Sequence, residues 1–188
     1  MHKGYILLLV VLIVIVIWLL YLTSLVCIGW KDLDEKMTAV MKTNCVIVYP
    51  HNSYYDLLVG LNYRYRYPKL FGNVKFLINP FWYSVLPCKE SIGLIESSNL
   101  RSKGSGRTKK IVEELEKYDR YQLAISPKGT VKNTTKWRSG YWWIAKSLNI
   151  NIAVIDINYN DKCLKLKGVI SPGDCKDDDE KTIREWMP

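Results

Sequence analysis

The sequence lacks the cysteine spacing of a metal-bound or disulfide-bonded protein. Its five cysteines are scattered and contain no CxxC pair, which excludes a zinc-finger arrangement and a disulfide framework and is typical of a reducing compartment. The basic, glycine-bearing run over 101–110 lacks the Gly-x4-Gly-Lys-Ser/Thr order of a nucleotide-binding P-loop. No aromatic-studded RNA-binding signature and no helix-turn-helix pattern accompanies the formal net charge of +9, so no nucleic-acid partner is expected.

The positive charge is concentrated in the middle of the chain. Residues 31–173 carry 23 lysines and arginines against 12 acidic residues, whereas the tail from Asp174 onward holds six acidic residues and three basic ones. A basic domain of this kind attracts anionic lipid head groups and phosphorylated substrates. The composition therefore favours membrane lipids as partners.

The longest uncharged stretch lies at the N-terminus, from Tyr5 to Ile28. A helix of that length rises about 36 Å, which is enough to cross a bilayer. A secretory signal peptide has a shorter apolar region of about 7–15 residues, and no small-x-small cleavage site follows here. We therefore expect an uncleaved N-terminal transmembrane helix; re-entrant or in-plane insertion is the open alternative.

The basic residues that flank this stretch predict its orientation. Lys3 precedes it, while Lys31, Lys36 and Lys42 follow it. Because basic residues are enriched on the cytoplasmic side of a membrane, the expected localisation is a single-pass anchor with a cytosolic domain.

The remainder of the chain alternates short β-branched strands with helical patterns. This alternation predicts an α/β fold with a mixed, largely parallel sheet flanked by helices. The expected organisation is an anchor over 1–30, an amphipathic linker helix over 31–43, and an α/β domain over 44–188 that ends in an acidic tail.

One strand delivers a histidine and an aspartate at a suggestive spacing. The apolar run 45–48 is followed by a loop that contains His51, and a helical pattern begins near Asp56. The carboxylate can then reach back to one imidazole nitrogen and leave the other free to take a proton. Without a nucleophilic serine, such a pair predicts a base that activates a substrate hydroxyl; a surface or helix-capping histidine is the alternative.

A second strand, over 121–125, ends in a loop with phosphate-binding character. Its residues supply backbone N–H groups, a cation and hydroxyls, which together can hold a phosphate: Ser126, Pro127, Lys128, Gly129 and Thr130. Taken alone, the same five residues are more typical of a simple turn.

These segments together resemble the glycerolphosphate/lysophospholipid acyltransferase family, which includes the 1-acyl-glycerol-3-phosphate acyltransferases. His51-x4-Asp56 matches the family's first motif in full, the segment 93–95 stands where its middle motif lies, and Pro127, Gly129 and Thr130 match its Phe-Pro-Glu-Gly-Thr motif. The resemblance covers about residues 44–172, and within this range the run 136–145 also looks like one branch of the family. Three loose motifs in order are more specific than any one of them.

The resemblance implies an acyltransferase-like fold and an O-acyltransferase of phospholipid biosynthesis. His51 would be the general base, Asp56 would orient it, and an acyl group would pass from acyl-CoA or acyl-carrier protein to a hydroxyl of a lysophospholipid or glycerolipid. No metal and no cofactor beyond the acyl donor is implied. The loop 126–130 would hold the acceptor's phosphate or polar head.

Two departures from the family pattern concern the acceptor site. Lys128 replaces the family's glutamate, and Glu96-Ser97-Ser98 replaces the middle-motif arginine, so that Arg101 is the nearest candidate for its role. Lys128 would then bind phosphate with assistance from Arg101. The alternative hypothesis is a catalytically weakened relative that binds lipid without turnover.

Overall fold

The computed structural model describes residues 5, 8–16, 18, 28–97, 106–132 and 134–187. Within these ranges the chain is an α/β fold in which helices flank a mixed sheet of six strands in the order β3-β2-β4-β1-β5-β6. The strands are β1 Cys45–Val48, β2 Val74–Ile78, β3 Leu94–Glu96, β4 Gln122–Ile125, β5 Asn151–Asn158 and β6 Cys163–Ile170. The helices are α1 Glu35–Val40, α2 Asp56–Arg66, α3 Pro68–Phe71, α4 Pro80–Val85, α5 Gly106–Leu115, α6 Gly140–Leu148 and α7 Lys176–Trp186.

The first five strands run parallel, and only β6 is antiparallel to its neighbour. β1 pairs in parallel with β4 on one side and with β5 on the other, and all four of its residues are buried. A strand that is covered on both faces has a continuously apolar sequence, as 45–48 does. The predicted mixed, largely parallel sheet is therefore the one observed, and β6 lies at the sheet edge.

The alternation of side chains along β1 divides the apolar core between the two faces of the sheet. Cys45 and Ile47 belong to a cluster with residues of α1 and α2, whereas Val46 and Val48 belong to a cluster with residues of α5, α6 and α7. Successive residues of a strand point to opposite faces, so α2 covers one face and α7 the other.

The prediction of an N-terminal transmembrane helix is wrong. No helix in the described part of the chain is long and apolar enough to cross a membrane. Of the stretch 5–28, the continuous described helical run is 8–16. The other residues of the predicted span fall largely outside the described ranges.

The predicted linker region contains a short helix that contributes to the core. Within 31–43, α1 spans Glu35–Val40, and Asp34 caps it by accepting a bond from the Met37 backbone N–H at 2.7 Å. Met37 and Met41 are fully buried in the cluster on the α2 face of the sheet. The apolar side of this helix therefore packs on the sheet domain.

Three helices were not anticipated as such from the sequence, namely α3, α4 and α7. Asn79 caps α4 through its side chain, and Pro80 begins it, because proline is compatible with a first helical turn. At the C-terminus, the acidic tail from Asp174 onward contains α7, and Asp179 within this helix is buried.

Candidate functional site

The candidate site lies at the edge of the sheet where the parallel strands end. β1 and β4 are adjacent, with Val48 in register with Ile125. The loop that follows β1 carries His51, and the loop that follows β4 carries Lys128. Ligand sites of open parallel sheets lie at this edge, so the topology brings the two predicted segments to the same place.

His51 and Asp56 form a direct hydrogen bond. The His51 Nδ1 atom lies 2.7 Å from Asp56 Oδ2. Because a carboxylate only accepts hydrogen bonds, the proton is assigned to Nδ1, which leaves Nε2 with its lone pair. The His51 side chain is 26% exposed while that of Asp56 is 1% exposed, so a buried anion holds an imidazole that solvent can reach.

The turn between His51 and α2 is arranged around the Asp56 carboxylate. Asp56 is the first residue of α2, and its Oδ2 also accepts a bond from the Ser53 backbone N–H at 3.3 Å. Ser53 Oγ in turn accepts a bond from the Tyr55 backbone N–H at 3.1 Å. A carboxylate at a helix N-terminus is stabilised there by unpaired N–H groups, which explains how an anion can be buried at this position.

A tyrosine from another strand completes the surroundings of Asp56. The Tyr159 hydroxyl donates to Asp56 Oδ1 at 2.7 Å, from the first position after β5. Burial is the main cause that raises the pKa of Tyr159 well above its usual value, and this hydrogen bond raises it further. Burial and the Asp56 charge likewise raise the pKa of Tyr49, whose ring lies 6.3 Å edge-on from the His51 ring. Both phenols are therefore neutral at physiological pH.

The loop after β4 is closed by its own backbone. The Gly129 N–H donates to Ser126 O at 3.2 Å, and Gly129 adopts a positive φ of 60° that favours glycine. Thr130 Oγ1 accepts a bond from the Lys132 N–H at 3.2 Å. Pro127 is buried, Lys128 is half-buried, and Ser126 Oγ is buried with no hydrogen-bond partner among the described residues.

Arg138 adds a second cation to this loop. Its backbone N–H donates to Pro127 O at 2.9 Å, and its guanidinium lies so close to Gly129 that a Cβ there would approach it to 3.3 Å. The side chain itself is exposed. Arg138 and Lys128 therefore place two positive charges next to the loop that follows β4.

The segment 93–95, predicted to be the middle motif, does not contribute in the same way to the sheet edge that carries His51 and Lys128. Gly93 precedes β3 and so lies at the opposite end of that strand, where the Arg64 guanidinium donates to Val74 O at 2.8 Å and Ser91 O at 3.0 Å. Gly93 has a φ of +75°, and an added Cβ would meet Val74 O at 2.5 Å. This glycine is thus required by the backbone. Arg101, predicted to assist Lys128, lies outside the described residues.

Two surface depressions occur elsewhere on the molecule. One, of about 590 Å³, is lined by the segment 83–91, and the other, of about 470 Å³, lies along α7. Neither is lined by His51 or by the loop 126–130.

Comparison with known proteins identifies no match to this chain. No protein-family model, no curated protein and no solved structure matches this chain. The functional interpretation therefore depends on the geometry of the site and on the local motifs.

Sequence reasoning did not include Tyr159 or Arg138 among the site residues. The signal for Tyr159 was topological: β5 is parallel to β1, so the residue after β5 comes to the same sheet edge as His51. Arg138 lies in the run 136–145, and the bond from its N–H to Pro127 O is the contact that places it beside the loop 126–130.

Proposed function

We propose that this chain is an O-acyltransferase that moves a fatty acyl group from a thioester donor to a hydroxyl of a lysophospholipid or glycerolipid. The observation that carries the proposal is the 2.7 Å bond between His51 Nδ1 and the buried Asp56 carboxylate. It supplies a partly exposed imidazole whose remaining nitrogen can accept a proton. The two cations beside the adjacent loop add a reason to favour an anionic acceptor.

The reaction needs only one base. His51 Nε2 removes the proton of the acceptor hydroxyl as its oxygen attacks the thioester carbonyl carbon, and Asp56 stabilises the imidazolium that forms. The tetrahedral intermediate collapses with cleavage of the carbon–sulfur bond, and the thiolate takes the proton from the imidazolium. The products are an ester and a free thiol, and no acyl-enzyme intermediate is required.

The acceptor head group would bind at the loop 126–130. Lys128 and Arg138 provide positive charge there, and Ser126 Oγ provides an unpaired hydrogen-bonding group among the described residues. Arginine suits a phosphate because its fork can bind two oxygens at once. In this proposal Arg138 serves the acceptor phosphate in place of the arginine missing from the middle motif.

The test is acyl transfer from a labelled long-chain acyl-CoA, and separately from an acyl-carrier protein, to a panel of lysophospholipids and glycerolipids. Wild-type protein is expected to acylate at least one acceptor. Lys128→Ala is expected to raise the acceptor KM by about tenfold, the effect of one charged hydrogen bond, with a smaller change for an acceptor that lacks phosphate.

The control variant is Lys36→Ala, which removes an exposed lysine on α1, far in sequence from the loop. It is expected to leave the acceptor KM unchanged. Folded wild-type protein that binds lipid but transfers no acyl group from either donor would refute the enzyme and favour a catalytically inactive lipid-binding protein.

A further inference from the structure

Tyr159 occupies a place that is defined by the sheet rather than by the local sequence. It is the first residue after β5 and begins the short connection to β6. Since β5 pairs in parallel with β1, the end of β5 lies beside the end of β1. The phenol therefore reaches the His51 loop from a part of the chain more than a hundred residues away.

The two carboxylate oxygens of Asp56 accept hydrogen bonds from different donors. Oδ2 lies 2.7 Å from His51 Nδ1 and also accepts the Ser53 N–H, whereas Oδ1 accepts the Tyr159 hydroxyl at 2.7 Å. With donors on both oxygens, the plane of the carboxylate is fixed. Without the bond to Oδ1, the carboxylate could rotate about its Cβ–Cγ bond, and Oδ2 would be less well directed at His51.

The phenol ring is itself held in place. Trp30, which is 5% exposed, contacts the Tyr159 ring edge-on with centroids 5.6 Å apart. The neighbouring Lys31 N–H donates to Lys162 O at 2.7 Å, and Lys31 O accepts the Tyr63 hydroxyl at 2.7 Å. The segment around Trp30 thus joins the β5–β6 connection to α2 and limits the movement of Tyr159.

The hydroxyl also keeps its proton over the physiological range. Burial is the main cause that raises the pKa of Tyr159, the bond to Asp56 adds to it, and the Ser53 side chain opposes it. Tyr159 is therefore a permanent hydrogen-bond donor to Asp56 and does not compete with His51 for the substrate proton.

We infer that Tyr159 is a positioning residue that acts on His51 through Asp56. This inference rests on the proposed function for its catalytic meaning, although the arrangement can be tested without substrate. It predicts that Tyr159 sets how firmly the Nδ1 proton of His51 is held, and thereby how often Nε2 is presented as a base.

The substrate-free test follows the Nδ1 proton of His51 by NMR. The sequence contains two histidines, so His2→Gln leaves His51 as the only one. With ¹⁵N-labelled histidine, this background is expected to show the Nδ1–H tautomer and a downfield, slowly exchanging proton. Tyr159→Phe is expected to broaden that signal and to speed its exchange with water roughly tenfold, the effect of losing one bond to a charged group.

The matched control is Tyr141→Phe. It removes the same atom from a tyrosine that is fully buried on the other face of the sheet, in the cluster that contains neither Trp30 nor Asp56. It is expected to leave the Nδ1 proton as it is in the background protein. A proton signal in Tyr159→Phe that is identical to that of Tyr141→Phe would overturn the inference.

In the acyl-transfer assay, Tyr159→Phe is expected to lower kcat roughly tenfold with acceptor KM unchanged, because its effect falls on the base and not on binding. A rise in KM at constant kcat would contradict a positioning role. If no acceptor is acylated by the wild type, the proposed function fails while the NMR result still decides the role of Tyr159.

A second measurement covers the case in which Tyr159→Phe does not fold. In Asp56→Asn with ¹³Cζ-labelled tyrosine, Tyr159 loses its bond to a negative charge and is expected to titrate at lower pH than in the wild type. An unchanged titration would mean that the hydroxyl and the carboxylate do not interact, and this result would also overturn the inference.

Discussion

Replacing Asp56 by asparagine removes one buried negative charge while keeping the shape of the side chain. The amide oxygen can still accept the bonds from His51 Nδ1 and the Ser53 N–H, while the amide NH₂, a donor, takes the place of the oxygen that accepts from Tyr159. The variant loses the attraction between the carboxylate and the imidazolium that forms when His51 takes the acceptor's proton. We therefore expect the chemical step to be slowed more than acceptor binding.

The size of the effect follows from the position of the pair. Opposite charges about 4 Å apart attract by about 4 kcal/mol at an effective dielectric constant near 20. Since the His51 side chain is 26% exposed, solvent weakens this attraction. A loss of about 2–4 kcal/mol corresponds to a drop in kcat of roughly 30- to 1,000-fold.

The assay compares kcat and acceptor KM of Asp56→Asn with those of Asp179→Asn. Asp179 is a second buried carboxylate, which accepts bonds from Trp142 Nε1 at 2.8 Å and the Gly173 N–H at 2.7 Å on the other face of the sheet. Its variant is expected to lose stability in a thermal melt but to retain kcat. A folded Asp56→Asn protein with kcat within about threefold of wild type would refute the reasoning.

Two further predictions concern stability. Gly93→Ala is expected to lower the free energy of unfolding by at least about 1–2 kcal/mol in a denaturant titration, because the φ of Gly93 is positive and the new Cβ meets a carbonyl oxygen. The control is Gly140→Ala, at a helix start with open space around it. Equal losses of stability in the two variants would contradict this prediction. Burial raises the pKa of Cys45 and of Tyr63 to about 12 from 9.0 and 10.0. Below these usual values the thiol and the phenol are protonated in both the folded and the unfolded chain, so the free energy of unfolding is expected to stay constant up to about pH 9 as far as these groups are concerned. Between about pH 9 and pH 12 the free energy of unfolding should fall, with a slope that approaches about 1.4 kcal/mol per pH unit for each group, because the unfolded chain releases these protons first. A flat profile of stability over that range would argue against this prediction.

Much of the sheet could be predicted from the sequence because its strands are short, apolar and bounded by clear turn signals. The run 45–48 is buried on both faces, and such a strand has no polar alternation to confuse its identification. The pair of His51 and Asp56 could be predicted for a related reason. Their separation along the chain is short, so that one turn fixes their geometry.

The parts that escaped prediction depend on contacts between distant segments. Asp179 belongs to the acidic tail, yet Trp142, 37 residues earlier, donates to its carboxylate and makes its burial possible. Tyr159 meets Asp56 across 103 residues. Neither partner can be identified from local periodicity, since only the strand order brings them together.

The uncharged N-terminal stretch shows the opposite error. Hydropathy alone predicted a membrane-spanning helix from Tyr5 to Ile28, whereas no helix in the described part of the chain is long and apolar enough to cross a membrane.

The central claim is that His51 Nε2 acts as the base toward the acceptor hydroxyl, and its most direct test is chemical rescue. His51→Ala is expected to lower the rate of acyl transfer by about 100- to 10,000-fold, the range of general-base catalysis. Because the His51 side chain is partly exposed, added imidazole is expected to enter the vacated space and restore a measurable part of the rate in proportion to its concentration. A His51→Ala protein that transfers acyl groups at the wild-type rate, with or without imidazole, would contradict the account.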